Sequence, residues 1–343
     1  MLSPRCFLFV LSLLLVSGQA AAQGEPGPHQ RPVKVVAPER LAVPGGGVAP
    51  LYVSADWSQP LPQIERAVIV LHGRLRNADV YFQSALKAQT AAGEAGKAAV
   101  MIVPQFLAEG DVKAFGLPPD TLRWTWTSWQ GGEPAVGPQP ASSFAVLDAI
   151  LGRLADRRLF PRLRQVVVAG HSGGGQVAQR YAVAAKGDAA LTAAGVGVRY
   201  VVANPSSYAY FSAERPVPAI ASACPGFNAW KYGMEALPPY LTASAPQALE
   251  KAYVARRVIY LLGTKDTDPN HPALDKSCMA EAQGPHRLAR GEAYVATMRQ
   301  RDSGAPHHNL WLVDGVGHNG DGMLTSTCGL AALFDVQSCP SAR

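Results

Sequence analysis

Six short apolar runs, rich in β-branched residues, recur along the chain and predict the strands of a sheet. Each run is continuous rather than alternating, which is typical of strands buried on both faces of a parallel sheet. They cover residues 66–71, 98–104, 165–169, 198–203, 257–262 and 308–313. Helical segments are predicted at residues 79–92, 142–157, 176–186 and 292–301. Strands separated by helices indicate βαβ units, so the expected fold class is α/β, with a mostly parallel central sheet flanked by helices.

Two long stretches, residues 105–140 and 204–250, lack periodicity and are rich in proline and glycine. Long loops at the carboxyl ends of strands are where α/β sheets build binding sites, so we interpret both stretches as insertions near a site. Their tryptophans are candidate substrate contacts, although packing of the loops against the body of the protein explains the same composition. The candidates are Trp124, Trp126, Trp129 and Trp230.

The N-terminal stretch of residues 24–50 is also rich in proline and glycine, and we expect it to wrap over the surface. Neither an internal repeat nor a clean linker divides the remainder of the chain. We therefore expect residues 24–343 to form a single domain that carries the two insertions.

Residues 166–175 read Val-Val-Val-Ala-Gly-His-Ser-Gly-Gly-Gly and are the most informative stretch. A buried strand leads into a glycine-flanked turn with Ser172 at its apex, and an alanine-rich helix without proline follows. This order matches the G-x-S-x-G nucleophile elbow in the context that the motif requires. A tight strand-to-helix turn with an incidental serine is the alternative. A phosphate-binding loop is disfavoured, because the stretch has neither G-x-G-x-x-G nor the Lys-Ser/Thr ending of a P-loop.

Two partners for Ser172 follow later strands. His318 comes after the last predicted strand, and Asp266 and Asp268 come after the strand before it. A serine hydroxyl is a poor nucleophile until a histidine accepts its proton, and a carboxylate fixes the tautomer of that histidine. The order Ser, acid, His along the chain is that of α/β-hydrolases rather than of the two common serine proteases. Asp266 is preferred to Asp268 because it lies nearer the strand end.

At these positions the sequence resembles the α/β-hydrolase fold superfamily, in particular its secreted esterases and its polyester-depolymerase-like and feruloyl-esterase-like members. The resemblance is sharpest at Leu-His-Gly-Arg (71–74), Gly-His-Ser-Gly-Gly (170–174), Gly-Thr-Lys-Asp (263–266) and Gly-His (317–318). It implies that Ser172 is the nucleophile, Asp266 the acid and His318 the base. It also implies that the backbone N–H groups of Arg74 and Gly173 form an oxyanion hole.

The activity that this resemblance implies is that of a serine hydrolase, which cleaves small or polymeric carboxylic esters through an acyl-enzyme and needs no cofactor. A peptidase or amidase with the same trio is an alternative, and so is a non-catalytic exported binding protein on the same scaffold. We expect His72 to brace the turn that carries Arg74, and His171 to pack under the elbow. Arg74 and Arg76 either bind a substrate carboxylate or are solvated surface charges.

Composition and charge narrow the class of protein. Of 343 residues, 48% are hydrophobic and only 16% are charged, with 33 glycines and 28 prolines, which suits a loop-rich exported enzyme better than a disordered or coiled-coil protein. The formal net charge is +6, but basic and acidic residues are interspersed. Because no basic run alternates with aromatic residues, no nucleic-acid partner is expected.

Residues 1–23 are interpreted as a secretory signal peptide that is cleaved from the mature protein. Arg5 supplies a short positive region, residues 7–16 an apolar core, and residues 19–22 a cleavage site of small residues. The apolar core is too short to span a bilayer comfortably, and no second hydrophobic run follows it. We therefore expect a secreted or periplasmic protein without stable membrane insertion. An uncleaved N-terminal anchor is the alternative.

Four cysteines follow the predicted signal peptide, and an even number in an exported chain indicates two disulfides. Of the three possible pairings we favour Cys328 with Cys339, which closes a local loop, and Cys224 with Cys278, which ties two long loops together. No metal site is expected, because the cysteines have no C-x-x-C spacing and no nearby histidine pair. Further histidines also lack metal-ligand spacing and are interpreted as structural or surface residues: His271, His286, His307 and His308.

Overall fold

The structure is a computed structural model, and it describes residues 27–301 and 307–341. The predicted signal peptide, residues 1–23, lies outside the described residues. No helix in the described part of the chain is both long and apolar enough to cross a membrane.

An eight-stranded sheet lies at the centre of the structure. In chain order its strands are β1 (Glu39–Ala42), β2 (Val48–Val53), β3 (Arg66–Leu71), β4 (Ala99–Pro104), β5 (Gln165–His171), β6 (Gly197–Ala203), β7 (Arg257–Gly263) and β8 (His308–Val313). Across the sheet the order is β1-β2-β4-β3-β5-β6-β7-β8. The pairs β1–β2 and β2–β4 are antiparallel, and the remaining pairs are parallel. The carboxyl ends of β3 to β8 therefore meet along one edge of the sheet.

Helices cover both faces of this sheet. They are α1 (Ala78–Ala91), α2 (Glu94–Lys97), α3 (Glu109–Phe115), α4 (Ser143–Leu154), α5 (Gly173–Ala184), α6 (Asp188–Ala193), α7 (Pro218–Ser222), α8 (Pro246–Val254), α9 (Cys278–Glu281), α10 (Arg287–Arg301), α11 (Gly320–Thr325) and α12 (Thr327–Phe334). Two short 3-10 helices lie at Pro28–Gln30 and Ser128–Gly131.

The expected fold class is confirmed. All six predicted strands are present as β3 to β8, and each of their ends lies within two residues of the predicted position. The four predicted helices are α1, α4, α5 and α10, of which α10 begins five residues earlier than predicted. Continuous apolar runs and helical periodicity are therefore sufficient to locate the parallel part of the sheet and its main helices.

The prediction for residues 24–50 is wrong in part, because this stretch contains β1 and the start of β2. The four residues of β1 are exposed or half-buried, so the strand carries no apolar run. It is held by backbone pairing with β2, and β2 pairs in turn with β4, where Leu51 lies opposite Pro104. Because pairing at a sheet edge uses main-chain groups, the hydrophobic pattern does not reveal it.

Strand β5 shows how the sheet divides the core into two layers. Side chains alternate between the two faces of a strand, and in β5 Val166 and Val168 pack into one layer while Val167 and Ala169 pack into the other. The first layer contains apolar residues of α4, α5 and α10, and the second contains those of α1 and α12. Because both faces are covered, all four residues are fully buried.

Two disulfides join distant loops and the C-terminal segment. Cys224, just after α7, is bonded to Cys278 at the start of α9, with a Cα–Cα distance of 5.7 Å. Cys328 in α12 is bonded to Cys339, with a Cα–Cα distance of 4.4 Å. Both distances lie within the usual range for disulfides. The structure thus brings together the two pairs that the sequence analysis favours.

Arg76 and Asp111 form a buried ion pair between the turn after β3 and the first insertion. Both side chains are fully buried, and Arg76 Nε and Nη2 donate to the two carboxylate oxygens of Asp111 at 2.7 and 3.0 Å. The same guanidinium donates to the carbonyl oxygens of His29 and Arg31 at 2.6 and 2.8 Å. Arg76 is therefore neither a surface charge nor a substrate ligand, and both expectations for it are wrong.

Replacing Asp111 with alanine is expected to lower the free energy of unfolding by about 3–5 kcal/mol, because the variant leaves a buried guanidinium without its counter-ion. Urea unfolding followed by circular dichroism measures the change. The matched control is Asp120→Ala, since Asp120 forms an exposed ion pair with Arg40 at 2.7 Å, and its loss should cost less than about 1 kcal/mol. Equal losses in the two variants would contradict the prediction.

Candidate active site

Ser172 occupies the turn between β5 and α5, at the carboxyl edge of the sheet. Its φ and ψ angles are 59° and −119°, a backbone conformation that residues other than glycine rarely adopt. The Ser172 N–H donates to the carbonyl oxygen of Ala203 in β6 at 2.9 Å, and the Ser172 carbonyl accepts from the N–H of Gln176 in α5 at 3.1 Å. Hydrogen bonds to a strand and to a helix thus hold the strained residue in place.

Two of the flanking glycines are required by close packing. A Cβ on Gly170 would lie 2.1 Å from the carbonyl oxygen of Gly174, and a Cβ on Gly174 would lie 2.0 Å from the carbonyl oxygen of Leu71. These backbone atoms belong to β3 and to the first turn of α5, and they have no room to move aside. The G-x-S-x-G spacing therefore reflects contacts between strand, turn and helix.

Ser172, His318 and Asp266 form a hydrogen-bonded chain. Ser172 Oγ lies 2.9 Å from His318 Nε2, and His318 Nδ1 lies 2.7 Å from Asp266 Oδ2. Because an ionised carboxylate can only accept, Nδ1 carries the proton and Nε2 accepts from the serine hydroxyl. The structure thus brings together, from three strand ends, the three side chains that the sequence analysis selects.

Asp266, rather than Asp268, is the carboxylate that contacts His318. Asp268 is exposed, and its Oδ1 accepts from a backbone N–H of its own loop. The second carboxylate oxygen of Asp266, Oδ1, lies 3.4 Å from the guanidinium of Arg287, which is fully buried at the start of α10. Arg287 therefore restrains the carboxylate on the side away from His318. Arg287 belongs to no sequence motif, so its role beside Asp266 could not be predicted from the sequence.

The pKa values of the pair follow from burial and from these contacts. Burial lowers the pKa of His318 below its ordinary value of 6.5, and the hydrogen bond with Asp266 opposes that change without cancelling it. Burial raises the pKa of Asp266, but the hydrogen bond with His318 and the positive charges of His318 and Arg287 outweigh it and hold that pKa below its usual value. At neutral pH the pair is therefore a neutral imidazole beside a carboxylate, as a general base requires.

Two backbone N–H groups lie together beside Ser172. A Cβ on Gly173 would lie 2.9 Å from the backbone nitrogen of Arg74, so the two amides are neighbours. Neither N–H donates to a backbone carbonyl within residues 27–301 and 307–341. Both lie beside Ser172, and they are the two residues at which the resemblance implies an oxyanion hole.

His72 holds the turn that carries Arg74. Its Nε2 accepts from the N–H of Phe106 at 3.0 Å, so Nδ1 carries the proton and donates to the carbonyl oxygen of Gly73 at 2.9 Å. Burial lowers the pKa of His72 to about 4, so the ring stays neutral and keeps both bonds. His72 therefore braces the turn that carries Arg74, as expected from the sequence.

Two more histidine rings lie next to His318. His171 is buried, its Nδ1 lies 3.0 Å from the Tyr81 hydroxyl, and its ring centroid is 4.6 Å from that of His318. Burial lowers the pKa of His171 well below its usual value, so this ring is neutral. His271 is only partly buried, and its ring centroid is 5.0 Å from that of His318. His271 therefore belongs to the wall of the site, which its interpretation as a structural or surface residue did not anticipate.

Two cavities meet at Ser172. The larger, of about 520 Å³ and here called the apolar cavity, is bordered by Leu75, Val80, Tyr81, His271, Pro272 and His318. The smaller, of about 290 Å³ and here called the lysine cavity, is bordered by Gln130, Gly173, Gln176, Lys231, Tyr232 and Asp275. Ser172 and Arg74 border both cavities, whereas His318 borders only the apolar one.

None of the four candidate tryptophans borders either cavity. Trp124 and Trp129 are fully buried. Their rings pack against Phe106, at centroid distances of 5.6 and 5.4 Å, and Trp129 also lies 4.7 Å from the ring of His72. These rings form the packed interior of the first insertion, and through His72 they lie against the turn that carries Arg74.

The other two tryptophans join parts of the chain that are distant in sequence. The guanidinium of Arg76 lies 4.7 Å from the ring centroid of Trp126. Trp230 donates its indole N–H to the carbonyl oxygen of Gly131 at 2.6 Å, which ties the second insertion to the first. Packing of the loops, the alternative that composition left open, accounts for both residues.

Comparisons with known proteins bear on the fold. No protein-family model and no curated protein sequence matches the chain. Among solved structures, poly(aspartic acid) hydrolase-1 from Sphingomonas sp. KT-1 is similar with a TM-score of 0.59 and 23% identity over 85% of this chain and 96% of that chain. LpqC, a poly(3-hydroxybutyrate) depolymerase from Bordetella parapertussis, is similar with a TM-score of 0.57 and 20% identity over 85% of this chain and 87% of that chain. These similarities and the strand order show that the chain has the α/β-hydrolase fold.

Asp266→Asn is expected to lower the pKa of His318 further, because it removes the negative charge beside the imidazole while burial and Arg287 remain. Titration of the imidazole C–H resonances by NMR measures this pKa. Asp268→Asn is the matched control and should leave the pKa of His318 where it is, since Asp268 is exposed and makes its hydrogen bond elsewhere. A larger decrease in the control would make Asp268 the acid partner instead.

Proposed function

We propose that this protein is an exported serine hydrolase that cleaves carboxylic esters through an acyl-enzyme intermediate. The observation that carries the proposal is the chain from Ser172 Oγ to His318 Nε2, at 2.9 Å, and from His318 Nδ1 to Asp266 Oδ2, at 2.7 Å. It lies beside two unused N–H donors, so a nucleophile, a base and oxyanion donors are present in one place.

In the first half of the reaction, Ser172 Oγ attacks the ester carbonyl carbon while its proton passes to His318 Nε2. The new bond from oxygen to carbon pushes an electron pair onto the carbonyl oxygen, and the N–H groups of Gly173 and Arg74 donate to the resulting oxyanion. Loss of one such donor typically costs about 3 kcal/mol of transition-state stabilisation. Asp266 keeps its negative charge and stabilises the imidazolium.

The tetrahedral intermediate then collapses. The bond between the carbonyl carbon and the alcohol oxygen breaks, and His318 Nε2 returns its proton to the leaving alcohol. In the second half, water attacks the acyl-enzyme with His318 again as the base, which releases the carboxylic acid and restores Ser172.

The positions of the two cavities relative to His318 support a placement of the alcohol and acyl portions of the ester. To receive a proton, the leaving oxygen must lie within hydrogen-bond distance of His318 Nε2. His318 borders the apolar cavity and not the lysine cavity. We therefore place the alcohol portion in the apolar cavity and direct the acyl portion towards the lysine cavity, which Gly173 of the oxyanion hole also borders.

The proposed substrates are small or polymeric esters outside the cytoplasm. The compared protein from Bordetella parapertussis is named as a depolymerase of poly(3-hydroxybutyrate), which is a polyester, and this supports polyesters as test substrates. Export is supported by the signal-like residues 1–23 and by the two disulfides, since disulfides persist in oxidising compartments.

An amidase or peptidase with the same trio is the second candidate. The compared protein from Sphingomonas sp. KT-1 is named as a hydrolase of poly(aspartic acid), whose units are joined by amide bonds. The two reactions differ in the leaving group, which is an amine instead of an alcohol. Matched ester and amide substrates therefore separate the two candidates.

Ser172→Ala is expected to lower the rate of 4-nitrophenyl butyrate hydrolysis by about 10⁴-fold or more, because the variant has no hydroxyl at the end of the hydrogen-bonded chain. Release of 4-nitrophenolate measures the rate, and labelling by a fluorophosphonate should disappear as well. Ser84→Ala is the matched control, since Ser84 borders the apolar cavity but donates its hydroxyl to Asp321 at 2.7 Å. It should retain both turnover and labelling.

The anilide of butyric acid, measured in parallel, tests the leaving group. We expect the wild-type protein to hydrolyse the ester faster than the anilide. Undiminished ester turnover by Ser172→Ala would exclude Ser172 as the nucleophile. Faster turnover of the anilide would favour the amidase instead.

The hydrolysis rate is expected to rise with pH and to level off once His318 is neutral. A protonated Nε2 cannot accept the proton of Ser172, and burial holds the pKa of His318 below 6.5, so the midpoint of the rise should lie below 6.5. The measurement is kcat/KM for 4-nitrophenyl butyrate from acidic to neutral pH. In His271→Asn, which removes the neighbouring imidazole, the rise should persist. Its loss in that variant, or a midpoint above 6.5, would contradict the assignment to His318.

A further inference from the structure

The lysine cavity carries polar groups that the proposed reaction does not use. Lys231 and Gln130 line the cavity, as do Ser172 and Gly173. Within the described ranges of the chain, neither side chain has a hydrogen-bond or ion-pair partner. Both groups are therefore available to a ligand beside the nucleophile.

Lys231 places a positive charge at this cavity. Burial lowers the pKa of its ammonium group to about 8, and the charge of Arg180 acts in the same direction. Asp275 and Glu133 raise that pKa in part, but neither carboxylate forms an ion pair with Lys231. At neutral pH the side chain is therefore mainly protonated, and no carboxylate is in contact with it.

Gln130 lies beside Gly173 of the proposed oxyanion hole. Only 4% of the residue is exposed, and its side-chain nitrogen lies 3.2 Å from the position that a Cβ on Gly173 would take. A buried polar group without a partner costs about 1–3 kcal/mol, and a substrate oxygen in the cavity would remove that cost.

Arg180 supplies a second positive charge beneath the cavity. Its guanidinium is fully buried and donates only to neutral oxygens, at 3.0, 3.1, 2.8 and 2.9 Å: Lys231 O, Gln130 O, Gln176 Oε1 and Ser207 Oγ. Two of these bonds fix the backbone of the residues that line the cavity. No carboxylate of the described residues forms an ion pair with Arg180. Burial lowers the pKa of the guanidinium and the charge of Asp275 raises it only in part, so an anion in the cavity would further stabilise this buried charge.

Three other charged side chains line the cavity: Arg74, Asp275 and Lys276. Arg74 Nη2 donates to the carbonyl oxygen of Pro272 at 3.3 Å and forms no ion pair within the described residues. Asp275 accepts from the hydroxyls of Tyr232 and Ser277 at 2.7 and 2.8 Å. Lys276 forms an ion pair with Glu281. Of the two lysines at this cavity, Lys231 is thus the one without an ion-pair partner among the described residues.

We propose that the lysine cavity is a subsite for a carboxylate at the far end of the acyl chain, bound by Lys231 Nζ and by the carboxamide N–H of Gln130. The inference rests on the proposed function, because the position of His318 assigns the acyl portion to this cavity. The preferred substrates are then esters of dicarboxylic acids, or chains that bear a carboxylate on the acyl side. A charge-assisted hydrogen bond gives such substrates an advantage that a neutral acyl chain lacks.

Two esters with the same six-carbon acyl chain test the subsite: 4-nitrophenyl hydrogen adipate, which ends in a carboxylate, and 4-nitrophenyl hexanoate, which does not. The quantity compared is the ratio of their kcat/KM values, acid over neutral. In Lys231→Met this ratio should fall by about tenfold to a hundredfold, since a charge-assisted contact of about 1.5–3 kcal/mol is removed. Lys231→Arg keeps the charge and should restore most of the ratio.

The matched control is Lys276→Met, which removes a lysine at the same cavity whose ammonium is already paired. It should leave the ratio near that of the wild-type protein. Equal losses on both esters in Lys231→Met would mean that Lys231 only supports the structure, and would overturn the proposal. An equal fall of the ratio in Lys276→Met would overturn the proposal too. The preference for the acidic ester would then depend on the total positive charge around the cavity and not on a contact with Lys231.

A binding measurement separates the subsite from the reaction. Monomethyl adipate is titrated calorimetrically into Ser172→Ala and into the double variant Ser172→Ala, Lys231→Met. Ser172→Ala should bind monomethyl adipate at least about tenfold more tightly than the double variant, because it keeps the contact between Lys231 and the carboxylate. Equal affinities would overturn the subsite. If the wild-type protein hydrolyses neither nitrophenyl ester, the proposed function fails, and this titration still decides whether the carboxylate subsite exists.

Discussion

The strained backbone at Ser172 is the constraint on which the rest of the structure depends. A positive φ at a residue other than glycine costs on the order of 1–3 kcal/mol, and it persists only where the surroundings leave no alternative. Here the carbonyl oxygen of Leu71 in β3 leaves no space for a side chain at Gly174, and the carbonyl of Ala203 in β6 accepts the N–H of Ser172. The two neighbours of β5 thus hold the turn, and the next two strands carry Asp266 and His318 to the same edge.

Much of this fold could be predicted from the sequence, because strands buried on both faces have continuous apolar runs. The valines of β5 are fully buried in two core layers, and the run they form locates the strand. The edge strand β1 escaped prediction because main-chain pairing, not burial, holds it. The burial of Trp124 and Trp129 could not be predicted for a related reason, since composition shows that a loop contains aromatic rings but not which way they pack.

The hydrogen-bonded trio was predictable because the ends of parallel strands converge, so three residues far apart in sequence were expected to meet. Arg287, Gln130 and Lys231 had no comparable signal. Each lies outside the strands. Arg287 forms an ion pair with Asp266, whereas the side chains of Lys231 and Gln130 form no hydrogen bond or ion pair within the described residues. Such roles depend on how irregular segments fold back on the sheet, which hydrophobic periodicity does not encode.

The Cys224–Cys278 disulfide links the two segments that form the wall of the lysine cavity. It closes a covalent ring over a sequence separation of 54 residues that includes Lys231 and Asp275, whereas Ser172 and His318 lie outside it. By the chain-entropy model a ring of this size stabilises the folded chain by about 4 kcal/mol. Ser172 and His318 therefore owe their positions to the sheet, while Lys231 and Asp275 owe theirs in part to oxidation of the two cysteines. Under the proposed carboxylate subsite, the redox state of the compartment in which the chain folds is thereby one determinant of which substrate the protein accepts.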